Sequence, residues 1–204
     1  MRKPEQELAE IKSMMERSTR FFSLSGLSGV LAGIYAIIGS GIAWYWIYFP
    51  LSAWGNPSDE LSDSALIWRI LGLAVIILTL ALVSAWTMGK RKSEKASQKF
   101  WTPASKRFWQ ALFIPVLLGG LFCFALVHEH TFQLIPAAML CFYGLGLVSA
   151  SHFTLGEIKK LGYTQLVMGA MAAFFPQFGL LFWAGGFGIL HIVYGSMMYY
   201  KYDR

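Results

Sequence analysis

Six apolar stretches divide this chain, and none of them contains an Asp, Glu or Lys. They cover residues 23–49, 65–88, 108–127, 132–151, 163–175 and 179–200. A helix needs about 20 apolar residues to cross the hydrocarbon core of a bilayer, since each residue advances it by only about 1.5 Å. The fifth stretch is short of that length, and Pro176-Gln177-Phe178-Gly179 separates it from the sixth. Joined, the two would make a helix far longer than one crossing requires, with a proline inside it, so the spacing predicts a turn there. The expected fold class is therefore all-α: a polytopic membrane protein with six transmembrane helices in three hairpins.

Basic residues set the expected orientation. Of the 17 Lys and Arg, every one but Arg69 falls in four places. These are the N-terminal arm (Arg2, Lys3, Lys12, Arg17, Arg20), the second connection (89–107), the fourth (Lys159, Lys160) and the tail (Lys201, Arg204). The first, third and fifth connections carry none. Lys and Arg are retained on the cytoplasmic side during insertion, which predicts an N-in, C-in arrangement. The net charge of +6 is then a consequence of topology and calls for no nucleic acid. Composition agrees: 56% of residues are hydrophobic and 14% charged, whereas a soluble domain carries about a quarter charged. Six crossings take up about 120 residues, leaving no room for a separate soluble domain. Aromatic residues fall at both expected boundaries, where amphipathic rings favour the headgroup level. Trp44, Tyr45, Trp46, Tyr48, Trp54, Trp68 and Trp183 mark the outer one; Trp86, Trp101, Trp109, Tyr199, Tyr200 and Tyr202 mark the inner one.

Residues 1–22 read as an amphipathic helix. Pro4 suits a first turn, Glu5, Glu7 and Glu10 come early, and Lys12, Arg17 and Arg20 come late, as the helix dipole prefers. Leu8, Ile11, Met15 and Phe22 recur at helical spacing. The arm is polar and mixed in charge, unlike a secretory signal. It is expected to lie in the cytoplasmic interface, with docking of a cytoplasmic protein as the sharper alternative. Residues 23–200 form the transmembrane domain and 201–204 a cytoplasmic tail. Leu82-Val83-Ser84-Ala85 recurs as Leu147-Val148-Ser149-Ala150, too short a repeat to argue duplication.

Polar and small residues within the spans are the candidates for function. Ser25, Gly29 and Gly33 in the first span, with Ala184, Gly188 and Gly195 in the sixth, form small-residue stripes that let helix backbones approach closely. They place these two spans inside the bundle or at a contact between copies of the chain. His191 lies mid-span with Tyr194 beside it; an imidazole in lipid needs a hydrogen-bond partner, which favours an interhelical bond over a ligand or pH-sensing site. His152 closes the fourth span, with Ser149 along its side. A haem held by His152 and His191 is disfavoured by their different depths, and no cofactor or metal is implied. Arg69, near the outer face, is expected to snorkel or to pair with Asp59, Glu60, Asp63 or Glu129; anionic ligand binding is its functional alternative. His128-Glu129-His130 reads as a solvated loop. Cys123 and Cys141 read as small apolar residues, and a disulfide between them needs Cα atoms within about 7 Å. No catalytic motif can be assembled.

Three segments carry a family resemblance: Met15-Glu16-Arg17-Ser18-Thr19-Arg20-Phe21-Phe22-Ser23-Leu24-Ser25-Gly26, Trp101-Thr102-Pro103-Ala104-Ser105-Lys106-Arg107 and Gly186-Phe187-Gly188-Ile189-Leu190-His191-Ile192-Val193-Tyr194-Gly195. Together they resemble a family of uncharacterised bacterial multi-span inner-membrane proteins. The resemblance implies a bacterial cytoplasmic membrane location and transfers no activity and no site residue. Three function classes are expected to compete. The leading one is a non-enzymatic sensor or accessory subunit, with a cytoplasmic partner reached through residues 1–22 and 89–107. The next is a small transporter or channel for a neutral or lipophilic compound, lined by Tyr143, Ser149, His152 and His191. The last is a membrane enzyme acting on lipid or quinone, for which no carboxylate lies at membrane depth.

Overall fold

A computed structural model describes residues 25–48, 64–97 and 100–204. The arm 1–22, Trp54 and the acidic residues Asp59, Glu60 and Asp63 lie outside the described residues. Within them there is no strand, and six helices make up the structure: α1 (Gly26–Tyr48), α2 (Ser64–Lys95), α3 (Pro103–His128), α4 (Phe132–Phe153, with a 3₁₀ turn at each end of Ile135–Ala150), α5 (Gly156–Phe174) and α6 (Pro176–Asp203). Five of the six, all but α5, are long and apolar enough to cross a membrane. α5 has only 19 residues and gives its first turns to Glu157, Lys159 and Lys160, which shortens its apolar run.

The break before α6 is where the proline signal put it. α5 ends at Phe174, and Pro176–Phe178 forms a single 3₁₀ turn before the chain becomes helical again at Gly179. The second connection differs from a 19-residue loop. α2 continues to Lys95, and α3 begins at Pro103. Lys92 and Lys95 in the last turn of α2 are favoured by the helix dipole, which carries the helix beyond its apolar stretch. A capping box fixes the start of α3. The Thr102 hydroxyl accepts from the Ser105 N–H at 3.1 Å, the Thr102 N–H donates to Ser105 Oγ at 2.8 Å, and Pro103 takes the first helical position.

Neighbouring helices run in opposite directions, and glycine brings them close. Gly26 of α1 lies against Tyr199 of α6, Gly29 against Gly195, and Gly33 against Gly188 and Ile192. A Cβ at Gly195 would stand 2.6 Å from the Val30 nitrogen and 2.7 Å from the Gly26 oxygen. The two small-residue stripes thus meet each other within one chain. The other pairs use the same device: Gly144 with Gly162 between α4 and α5, Gly119 with Phe142 between α3 and α4, and Gly39 with Ile77 between α1 and α2. With no hydrophobic drive between helices in lipid, such close packing is what holds them together.

Three apolar clusters fill the interior. Leu147, Leu155, Ile158, Leu161 and Met198 join α4, α5 and α6 at one end, and Ala137, Leu140 and Ala172 join the same helices toward the other. Ala104, Phe108 and Ala150 seat α3 on α4. α2 and α3, by contrast, bury just 6% of their most apolar stretch, against 39% for α1. Their outer faces leave a large apolar surface uncovered by the rest of the described bundle.

Candidate functional site

Between the two clusters that join α4, α5 and α6 lies a knot of polar side chains. α4 supplies Tyr143, α5 supplies Gln165, and α6 supplies His191 and the carbonyl of Gly186. The Tyr143 hydroxyl lies 2.9 Å from His191 Nε2, and His191 Nδ1 lies 3.0 Å from the Gly186 carbonyl oxygen. A carbonyl can only accept, so Nδ1 carries the hydrogen and Nε2 accepts from the tyrosine. Gln165 Nε2 donates to the same carbonyl at 2.8 Å. That bond also fixes the amide: turned over, its oxygen would face the carbonyl oxygen. Gln165 is fully buried and His191 is 8% exposed. Burying such groups without partners costs about 2–7 kcal/mol each, which is why they are gathered together.

The backbone of α6 is shaped for this knot. Residues Ala184–Leu190 form a π-helical stretch with Gly185, Gly186 and Gly188 all buried. π turns within helices concentrate at functional sites. Glycine at 186 lets these side chains close in: a Cβ there would lie 2.3 Å from Leu140 Cδ2 and 2.6 Å from Gln165 Oε1, and both would have to shift. Phe187 stacks on one side of the imidazole (5.9 Å between centroids, 16° between planes) and packs on Tyr143 at 5.1 Å, with Trp183 at 5.1 Å beyond it. Gln165 Oε1 has no hydrogen-bond partner among the described residues.

Chemically the knot is a cross-link. The hydrogen-bond run from Tyr143 through His191 ends on a carbonyl, which has no proton to pass on, and no carboxylate is bonded to any of its members. It joins three helices at mid-length.

The other residues singled out in the sequence are not brought to it. His152 lies exposed in the 3₁₀ turn Ser151–Phe153, and Ser149 is exposed on α4. The structure leaves His152 outside the bonds that hold His191. Tyr194 packs against the Leu147–Met198 cluster, beside the knot and outside its bonds. Arg69 is exposed on α2, while Glu129 faces its neighbour His128 at 3.1 Å. Both cysteines are free thiols; Cys141 packs on Gly169 of α5. Among the described residues, no group of three His, Cys, Asp or Glu side chains is placed to hold a metal ion. Sequence reasoning missed Gln165. Its signal was an amide inside the fifth apolar stretch, where every polar group needs a partner.

A second constellation gathers the basic end of the bundle. Asp203, at the end of α6, takes the Gly26 N–H at 2.8 Å and the Ser25 hydroxyl at 3.0 Å on one oxygen, and Lys92 on the other at 2.5 Å. A carboxylate at the first turn of α1 is favoured by the helix dipole and by the unsatisfied N–H groups there. One side chain thus ties the start of α1, the end of α2 and the end of α6. Next to it, Glu157 of α5 accepts from Lys201 at 2.5 Å and from the Tyr202 hydroxyl at 2.9 Å. Burial alone would raise the Glu157 carboxyl, but the bonds from Lys201 and Tyr202 outweigh it and hold it below the usual carboxylate range.

Compared with protein-family models, with curated proteins and with solved structures, the chain finds no match in any of the three.

Proposed function

We propose that this chain is a six-crossing membrane protein with both termini in the cytoplasm, acting as a non-enzymatic sensor or accessory subunit for a cytoplasmic protein. The observation that carries this reading is how the bundle uses its polar groups. At depth, Tyr143, His191 and Gln165 are turned on one another and on Gly186, enclosed by Leu140 and Phe187. At the basic end, Asp203 and Glu157 hold the helix ends in fixed register. Both arrangements use their polar groups to tie helices to one another. Ser25, which follows the arm in sequence, is bonded to Asp203 at the end of α6.

Support for six crossings comes from α5 running antiparallel between α4 and α6, with Gly144 against Gly162 on one side and Gln165 against Gly186 on the other. Support for the orientation is the Lys and Arg distribution. The bacterial cytoplasmic membrane is the location that the segment resemblance favours. The test is affinity capture from gently solubilised membranes with the full chain and with residues 1–20 deleted. A specific partner lost on deletion is the expected result; an unchanged set of partners contradicts the proposal.

A carrier for a lipophilic compound has one observation in its favour. An apolar groove of about 290 Å³ lies between α1 and α6, lined by Ile37, Ser40, Gly41, Trp44, Leu180, Leu181 and Ala184. None of the knot's residues lines it.

A further inference from the structure

At the basic end, α2 and α3 are joined by aromatic rings rather than by helix packing. Trp86 of α2 meets Phe100 at 5.3 Å and Trp101 at 5.4 Å, both edge-on, and Phe100 meets Trp101 at 5.7 Å. The two indoles stay half in the open, Trp86 at 44% and Trp101 at 50% exposure. Lys90 is one turn beyond Trp86 on the same face of α2, and Lys106 and Arg107 are exposed in the first turns of α3. Segment 90–107 holds seven basic residues and a single acid, Glu94. That acid lies 3.9 Å from Lys90, with both side chains more than 60% exposed, a pairing that leaves the lysine free to serve an anion. Deeper along the same two helices, Val83, Leu117 and Leu121 are exposed at 54%, 65% and 66%.

We infer that the Trp86–Phe100–Trp101 cluster with Lys90 and Arg107 is a binding site for an anionic phospholipid. The phosphate is held by the cationic side chains, the glycerol region rests on the half-exposed indoles, and the acyl chains lie along the apolar faces of α2 and α3. Each part of the surface matches one part of that molecule. Indoles favour the headgroup level, guanidinium forms two-pronged bonds to phosphate, and the uncovered faces below are apolar. A soluble acidic peptide would leave those faces unused. The inference requires the chain to be in a bilayer and is independent of which side carries the basic end, because a nanodisc exposes both.

The test uses the full chain in nanodiscs of equal phosphatidylglycerol and phosphatidylcholine, released gently and read by native mass spectrometry for the lipids retained. The wild type is expected to retain phosphatidylglycerol over phosphatidylcholine by about tenfold or more, a cation near the membrane surface contributing roughly fivefold. Lys90→Gln/Arg107→Gln should remove most of that preference. Lys159→Gln/Lys160→Gln takes the same charge from the same end but lies outside the aromatic cluster, and should lower the preference clearly less. Trp101→Ala, which leaves every charge in place, should also lower retention. Equal retention of the two lipids by the wild type overturns the inference. So does an equal loss in the two double variants, which would mean diffuse attraction to a basic surface. Failure here leaves the partner proposal standing, since that is read by the deletion of residues 1–20.

Discussion

Replacing Gly195 with alanine adds one methyl group where α6 crosses α1. The new Cβ would lie 2.6 Å from the Val30 nitrogen, 2.7 Å from the Gly26 oxygen and 2.9 Å from the Gly29 carbonyl carbon. All three are backbone atoms, and none can rotate away. Restoring ordinary contact requires the helices to part by roughly 1 Å, and a gap of that size forfeits between a quarter and a half of each neighbouring dispersion contact. Overpacking of this kind costs about 1–3 kcal/mol, offset by up to about 1 kcal/mol for the better helix propensity of alanine. Gly120, on α3, is the control, because a Cβ there meets nothing within 4 Å. Gly120→Ala should therefore stabilise by about 0.5–1 kcal/mol. The propensity gain is common to both variants, so the gap between them is the overpacking cost, about 1–3 kcal/mol. Reversible unfolding in mixed micelles, titrated with a denaturing detergent and followed by circular dichroism, measures it. If Gly195→Ala is as stable as Gly120→Ala, the α1–α6 seam is not packed as described.

Tyr143→Phe removes the donor to His191 Nε2 and should cost about 1–2 kcal/mol in the same assay. A double-mutant cycle with His191→Phe should give a coupling of about 0.6–1.7 kcal/mol, and a coupling of zero would contradict the bond. Asp203→Asn weakens the Lys92 pair and the anchor on α1, so it should destabilise by about 1 kcal/mol or more; thermal unfolding in detergent checks it. Glu157 is held below its ordinary value, so its contribution is fully present above the unfolded-chain carboxylate range, about pH 4.3, and is lost as pH falls through its folded value. Stability measured between about pH 6 and pH 3 should fall less steeply in Glu157→Gln than in the wild type; parallel curves would refute the pair.

Which parts of this fold are legible in the sequence depends on how local their cause is. Apolar length and the Pro176 break are local, and they locate the helices and the α5–α6 turn. Helix ends are less so. The 89–107 segment reads as a loop from its charges, yet Lys92 and Lys95 extend α2, and the Thr102–Ser105 box starts α3 ahead of its apolar run. Glycine spacing identifies α1 and α6 as packing helices, and the structure seats each stripe on the other. At the knot, His191 stands out as a titratable group at depth. Its partners do not, because Tyr143 blends into the aromatic background and Gln165 carries no charge to draw notice. His152 and Ser149 look aligned with the interior by helical spacing, but α4 gives way to a 3₁₀ turn at Ser151, and both face outward. The reach of Asp203 back to Gly26 joins residues far apart in the chain, and no sequence window contains it.

The side on which each connection lies tests the account most directly. In a Cys123→Ala/Cys141→Ala background, single cysteines Ser97→Cys, between α2 and α3, and Thr131→Cys, between α3 and α4, can be probed in intact cells with a membrane-impermeant thiol reagent. The account predicts labelling at residue 131 in intact cells and at residue 97 only after the membrane is opened. Labelling of residue 97 in intact cells, or protection of residue 131, would contradict the arrangement on which the rest is built.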